Sequence, residues 1–186
     1  MTGLRTGPVH EVPGTAGSDG GQKMDFPEVM RAEEEWQRAG AYSVRIQGMN
    51  RQHHISLRDE FDGHDGDGTR YIVLLDCGYP VATCRFYELG PGSVMLGRVV
   101  VLEEYRGRHL GSTAVKEAEK WISELGYGEI LIDSRLEAVG FYGKLGYEIT
   151  ENTVRKSGNF DCVRMRKMLF CNQTISGRMH REATET

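Results

Sequence analysis

Arg106-Gly107-Arg108-His109-Leu110-Gly111-Ser112 follows the β-branched run Val99-Val100-Val101 and leads into a helix-patterned segment over residues 113–125. A strand that enters a small-residue, cationic loop and then a helix leaves several backbone N–H groups aimed at one spot. The helix dipole and the two arginines, Arg106 and Arg108, favour negative charge there. The stretch predicts a strand–loop–helix unit that cradles a pyrophosphate, and so a phosphate-bearing cofactor as ligand.

On the C-terminal side, Ala114, Ala118, Trp121, Ile122 and Leu125 recur at helical spacing, and Gly126-Tyr127-Gly128 stops the helix. Residues 129–133 read as a strand and 138–145 as a short helix carrying Val139, Tyr142 and Leu145. Closing strands are expected over 147–150 and 162–169. On the N-terminal side, residues 27–38 read as a helix with Pro27 near its first turn, Gly40 as its stop, and a second short helix over 41–48. Residues 71–75 and 81–87 are two strands joined by a loop over 76–80. Residues 93–102 form a third strand, apolar enough to be central and buried on both faces. Helices alternating with strands around one mixed sheet define an α/β (α+β) domain.

The chain has 186 residues and a formal net charge of −4. That length supports one domain with a proper core, and that charge gives no reason to expect nucleic acid or an anionic membrane as partner. Cys77, Cys84, Cys162 and Cys171 are scattered without a CxxC pair, and the histidines are dispersed, so no metal is expected and the thiols read as reduced in a cytoplasmic protein. No apolar run suits a membrane span or a signal peptide. Residues 1–22, rich in Gly, Pro, Ser and Thr, and residues 172–186 read as unstructured flanks of a folded unit over 25–170.

Two familiar phosphate loops are absent: no Lys precedes Ser112 as GxxxxGK[ST] requires, and there is no GxGxxG. The plain alternative is a β–α turn with surface arginines. Against it stands a second motif, Ala138 with Phe141-Tyr142-Gly143-Lys144-Leu145-Gly146-Tyr147. The pair resembles the two signatures of the GNAT superfamily of acetyl-CoA-dependent N-acetyltransferases, R/Q-x-x-G-x-G/A and A-x-x-F-Y-x-x-x-G-F/Y. Ala138, Phe141, Tyr142, Gly146 and Tyr147 match the second fully. Arg106 and Gly111 match the first, and His109 stands where the family usually has Gly; with helical dihedrals it would still offer its N–H. The resemblance runs over residues 45–170. Upstream, Arg45 and Glu60-Phe61-Asp62 are similar to a small bacterial subset of the family, although its R-x-x-V-F-V-x-E-Q segment is replaced here.

That resemblance implies a mostly antiparallel sheet with splayed central strands flanked by helices. It implies acetyl-CoA as donor, with pantetheine pairing along Val99, Val100 and Val101 like an added strand. The pyrophosphate would lie on Arg106, Gly107, Arg108, His109, Leu110, Gly111 and Ser112. Arg135 falls where many members carry an Asn that contacts the cofactor, and Tyr142 matches the tyrosine that protonates the departing thiolate. An amine of pKa about 10 must also lose a proton. Residues 93–102 hold no Asp or Glu, leaving His53, His54, Glu60, Asp62 and Asp133 as candidate bases. No cysteine falls within the cofactor motifs, which favours direct attack in a ternary complex. The acceptor is a small-molecule or peptide amine of open identity, and a homodimer is plausible, though no residue pattern points to one. The rival reading is a GNAT-fold protein that binds acyl-CoA without turning it over, as a sensor or assembly module. Residues 62–68, Asp-Gly-His-Asp-Gly-Asp-Gly, read as a solvated turn rather than a calcium loop, since neither register places Gly sixth and Glu twelfth.

Overall fold

A computed structural model describes residues 27–151 and 153–169. The expected unstructured segments, 1–22 and 172–186, and Cys171 lie outside the described residues. Among the described residues, eight strands form one sheet: β1 (Glu28–Arg31), β2 (Arg70–Asp76), β3 (Tyr79–Gly90), β4 (Ser93–Val101), β5 (Glu129–Arg135), β6 (Glu148–Ile149), β7 (Arg155–Ser157) and β8 (Phe160–Met168). Their order is β1-β2-β3-β4-β5-β8-β6, with β7 paired to β8. Of these pairings, only that of β4 with β5 is parallel. The helices are α1 (Glu35–Arg45), α2 (Leu57–Glu60), α3 (Leu110–Glu124) and α4 (Val139–Lys144). The sheet is thus mixed and mostly antiparallel, as expected. No helix among the described residues is long and apolar enough to cross a membrane.

The two-residue period of β2 explains why its run is apolar throughout. Tyr71, Val73 and Leu75 pack with Ala41 of α1 on one face. Ile72 and Leu74 pack with Ala114, Ala118 and Ile122 of α3 on the other. Both faces are covered, so the strand needs no polar side. Ala114, Ala118 and Ile122 of the α3 stripe are buried as the spacing predicted; Trp121 is partly buried, and Leu125, which caps the helix, is 40% exposed.

The N-terminal elements differ from expectation. Residues 28–31 are not helical; they pair antiparallel with β2. The helix begins at Glu35, where the Gln37 side chain accepts N–H bonds from Glu33 and Glu34, each at 2.8 Å. It then runs straight through Gly40 into a π-helical turn over Ile46–Arg51, merging the two helices expected over 27–38 and 41–48. Gly40 lies against the sheet: a Cβ there would stand 3.4 Å from Pro80 Cβ and 3.5 Å from Val73 Cγ2. Close helix–sheet packing overrides the weak helix propensity of glycine. The loop expected over 76–80 shrinks to Cys77-Gly78, whose φ values of 50° and 83° suit a two-residue hairpin turn. The helix α2 and the strand β7, both short and polar, had no sequence signal.

Two irregularities in β4 open the sheet at its centre. Thr83 pairs with Val100 but Arg85 pairs with Gly97, so Arg98 and Val99 together oppose Cys84 in a β-bulge, with Arg98 at φ 50°. On its other side β4 pairs with β5 only from Ser93↔Glu129 to Met95↔Leu131, and the two strands then part. Residues 97–99 are consequently half-buried rather than enclosed on both faces, the expectation for 93–102.

Candidate active site

Where β4 and β5 part, a cavity of about 720 Å³ opens. Of the residues singled out from sequence, Val99, Val100, Val101, Arg106, Gly107, His109, Leu110, Gly111, Ser112, Arg135 and Tyr142 line it. Arg108 does not: it lies over the Tyr105 ring at 5.2 Å and faces Asp76 at 3.8 Å.

The start of α3 forms one wall. His109 is its N-cap, with φ 62° and ψ 11°, so this residue is left-handed where the sequence predicts helical dihedrals. Gly107 is also left-handed, at φ 77°. The Ser112 hydroxyl donates to the His109 carbonyl at 2.7 Å, and that of Thr113 does so at 3.1 Å. Both hydroxyls turn back, and no side chain among the described residues caps the helix. The N–H groups of Leu110, Gly111 and Ser112, the first three of α3, have no intrahelical acceptor, and all three residues line the cavity. Three such donors on a helix dipole suit an anion. Arg106 sits at the rim, its Nε 3.3 Å from the Val101 carbonyl and its terminal nitrogen 2.7 Å from Gln52 Oε1.

The β4 backbone forms the second wall. Beyond Met95 it has no strand partner on the β5 side among the described residues, leaving an edge that an extended ligand can join.

Tyr142, on α4, packs edge-on against Phe141 and Tyr147, with centroids 4.9 and 5.8 Å apart. Burial pushes its hydroxyl well above the ordinary tyrosine range, so it carries its proton at neutral pH. Cys162 also lines the cavity, which its isolated position in the sequence did not signal. Burial raises its thiol too, and a protonated thiol is a poor nucleophile.

The opposite wall is built by residues between Gly48 and Glu60 and by the β7–β8 turn. His53 lies here, edge-on to Phe160 at 5.3 Å, with Nε2 3.5 Å from an Arg135 terminal nitrogen. Burial, then the charges of Arg135 and Arg106, lower its pKa, which favours the neutral imidazole. Of the other candidate bases, the three carboxylates are all engaged by arginines. Glu60 is buried and bonds Arg45 at 2.7 Å and Arg98 at 3.2 Å. Asp62 pairs with Arg85 at 2.8 Å and Arg98 at 3.1 Å. Asp133 is held by both nitrogens of an Arg164 fork. His54 lines the cavity in a left-handed conformation at φ 54°.

Glu60 and Asp62 belong to a larger network. Fully buried Arg45 also bonds Asp65 at 2.5 Å; Asp65 in turn meets Arg85 at 2.5 Å and accepts from the Tyr71 hydroxyl at 2.7 Å. Asp62 and Asp65 of the 62–68 turn are thereby committed to arginines. The network ties the segment that forms this wall to α1, β2, β3 and the β4 bulge.

The model of the acetyltransferase (GNAT) family matches residues 29–147. An uncharacterized acetyltransferase of Streptococcus pyogenes is 30% identical over 104 residues, 56% of this chain and 71% of that protein. A crystal structure from Lactobacillus plantarum, provisionally assigned as an N-acetyltransferase, superposes with TM-score 0.72 at 30% identity, covering 77% of this chain and 99% of that one. An aminoglycoside 6′-N-acetyltransferase complexed with coenzyme A shares the fold, with TM-score 0.63 at 13% identity over 76% of this chain and 96% of that one.

Proposed function

This chain belongs to the acetyltransferase (GNAT) family, and we propose that it moves an acetyl group from acetyl-CoA to a primary amine by direct attack in a ternary complex. One observation carries this reading: the uncapped N-terminus of α3 and the unpaired edge of β4 border the same cavity. A diphosphate on the N–H groups of Leu110, Gly111 and Ser112 leaves the pantetheine free to run along β4 toward Tyr142. Arg106 adds charge at the rim.

Chemistry then needs three proton and charge movements. His53, neutral and facing the cavity, takes the proton of the incoming amine, directly or through a water. A backbone N–H on the open edge of β4 stabilises the thioester oxygen as the amine nitrogen bonds to the carbonyl carbon. The C–S bond breaks and Tyr142 protonates the departing sulfur, so that coenzyme A leaves as a thiol. Free thiols have a pKa near 8.5, well below this buried tyrosine, so the transfer runs uphill in isolation and the tyrosinate must regain a proton as coenzyme A leaves. Cys162 takes no covalent part. In this reading residues 25–170 form the catalytic domain of a cytoplasmic enzyme.

The experiment is a thiol-release assay of purified protein with acetyl-CoA and a broad panel of amines, beside calorimetry of acetyl-CoA binding. Turnover with at least one amine is expected. Tight binding of acetyl-CoA without turnover of any amine would instead establish a non-catalytic acyl-CoA sensor or assembly module.

A further inference from the structure

Arg135 lines this cavity. It ends β5 with its guanidinium 3.4 Å from the centroid of the Phe160 ring, so one face is covered by an aromatic surface. Its terminal nitrogens reach His53 Nε2 at 3.5 Å and the Met49 sulfur at 3.3 Å, both weak acceptors. Its nearest carboxylate among the described residues, Glu137, is 3.8 Å away and 72% exposed at its side chain. The Arg135 side chain itself is only 24% exposed. Its guanidinium neighbours are better matched: Arg98 meets Glu60 and Asp62, Arg45 meets Glu60 and Asp65, and Arg164 meets Asp133. Arg135 combines desolvation with weak compensation, and burial accordingly lowers its pKa. A forked, planar cation held against a ring is pre-set for a carboxylate, which it can bind through two parallel bonds.

We infer that Arg135 receives a carboxylate of the acceptor, so that the amine acetylated belongs to a small amino acid with its two groups one or two carbons apart. This rests on the acetyl-transfer reading above and narrows it. The spacing supports it. His53, the proposed base, stands 3.5 Å from the guanidinium, so an acceptor gripped at its carboxylate presents its amine beside the imidazole. The same cation disfavours polyamines and aminoglycosides, whose additional ammonium groups would face Arg135 in a half-enclosed space. It equally disfavours a peptide N-terminus, in which the neighbouring carboxylate has become an amide.

The test compares matched acceptors in the thiol-release assay: L-amino acids and β-alanine against their amides, with acetyl-CoA, for the parent protein, R135Q and R135K. The parent should prefer the carboxylates by about tenfold or more in kcat/KM, the range set by a charge-assisted bond. R135Q should bring that ratio near one, and R135K, which keeps the charge without the fork, should retain part of it. Binding of N-acetylglycine, N-acetylphenylalanine and their amides to the protein loaded with coenzyme A reads the same contact without turnover. Amides used or bound as well as carboxylates, or neither product bound, would overturn the inference. So would a loss in R135Q of acetyl-CoA affinity with equal loss for both acceptor types, which would place Arg135 on the cofactor. If acetyl-CoA binds and neutral amines are acetylated without preference, only this inference fails. If acetyl-CoA does not bind, the acetyl-transfer reading itself fails.

Discussion

Gly48 faces Val100 so closely that a Cβ on residue 48 would lie 2.4 Å from the valine Cγ1. The contact joins the π-helical turn after α1 to the open part of β4, so it sets the distance between the two walls of the cavity. Valine is β-branched and stiff at χ1, and cannot simply swing away.

Gly48→Ala should therefore cost about 1–3 kcal/mol through overpacking, measured by urea denaturation. The acceptor KM should rise more than the KM for acetyl-CoA, because the added methyl group lies on the wall built by residues 48–60. Unchanged stability would mean that the turn accommodates a methyl group and the spacing is not fixed there.

His109 makes a complementary prediction. It holds the left-handed conformation that glycine adopts without cost. His109→Ala should be less stable than His109→Gly by about 1 kcal/mol, the penalty of Cβ in that region. Thermal melts of the two variants decide it, and equal melting points would contradict the assigned backbone.

The buried network sets acid stability. Burial alone would raise the Asp65 carboxyl, but bonds from Arg45, Arg85 and Tyr71 outweigh it and hold the group well below the usual carboxylate range. Asp62 is lowered in the same sense: burial acts to raise it, and the bond and charge of Arg85 more than offset that. A depressed folded pKa gives stability that is complete above the unfolded value of about 3.9 and is lost as pH falls below it. The unfolding free energy should therefore decline below about pH 4. Asp65→Asn should lower stability near neutrality by about 3 kcal/mol, since it leaves buried arginines underpaired, and should flatten the acid decline. An Asp65→Asn variant with the parent acid profile would contradict this.

His53 should shape the pH–rate profile. Its pKa lies below the ordinary 6.5, through burial and then the neighbouring arginines. Both His53 and the acceptor amine must be neutral, so log kcat/KM should rise with slope two below that pKa and slope one above it. His53→Gln should remove the steeper limb and lower kcat by about 10²-fold. A steep limb that survives in the variant would move the base elsewhere.

Tyr142→Phe should keep acetyl-CoA affinity while lowering transfer by about 10²-fold or more. Unchanged thiol release would remove Tyr142 from the mechanism.

A feature is legible in the sequence to the extent that its cause is local. The α3 stripe and the apolar run of β2 are periodic, and periodicity survives in any context. The loop from Arg106 to Ser112 is legible because its parts are contiguous. Gly40 misleads because its role depends on Pro80 and Val73, which a helix-stop rule cannot see. The left-handed turn at His109 is hidden because histidine there looks like an ordinary helix start. The meeting of His53 with Arg135 spans 82 residues and depends on where β4 and β5 part, a feature with no local signature. Cys162 enters the cavity for the same reason.

Acetyl transfer by this chain requires the first turn of α3 to be the seat of the diphosphate. A crystal structure with bound coenzyme A tests that directly. It should show phosphate oxygens accepting from the N–H groups of Leu110, Gly111 and Ser112, with the pantetheine extended along Val99 to Val101. Diphosphate density anywhere else, with that helix end left uncovered, would contradict it.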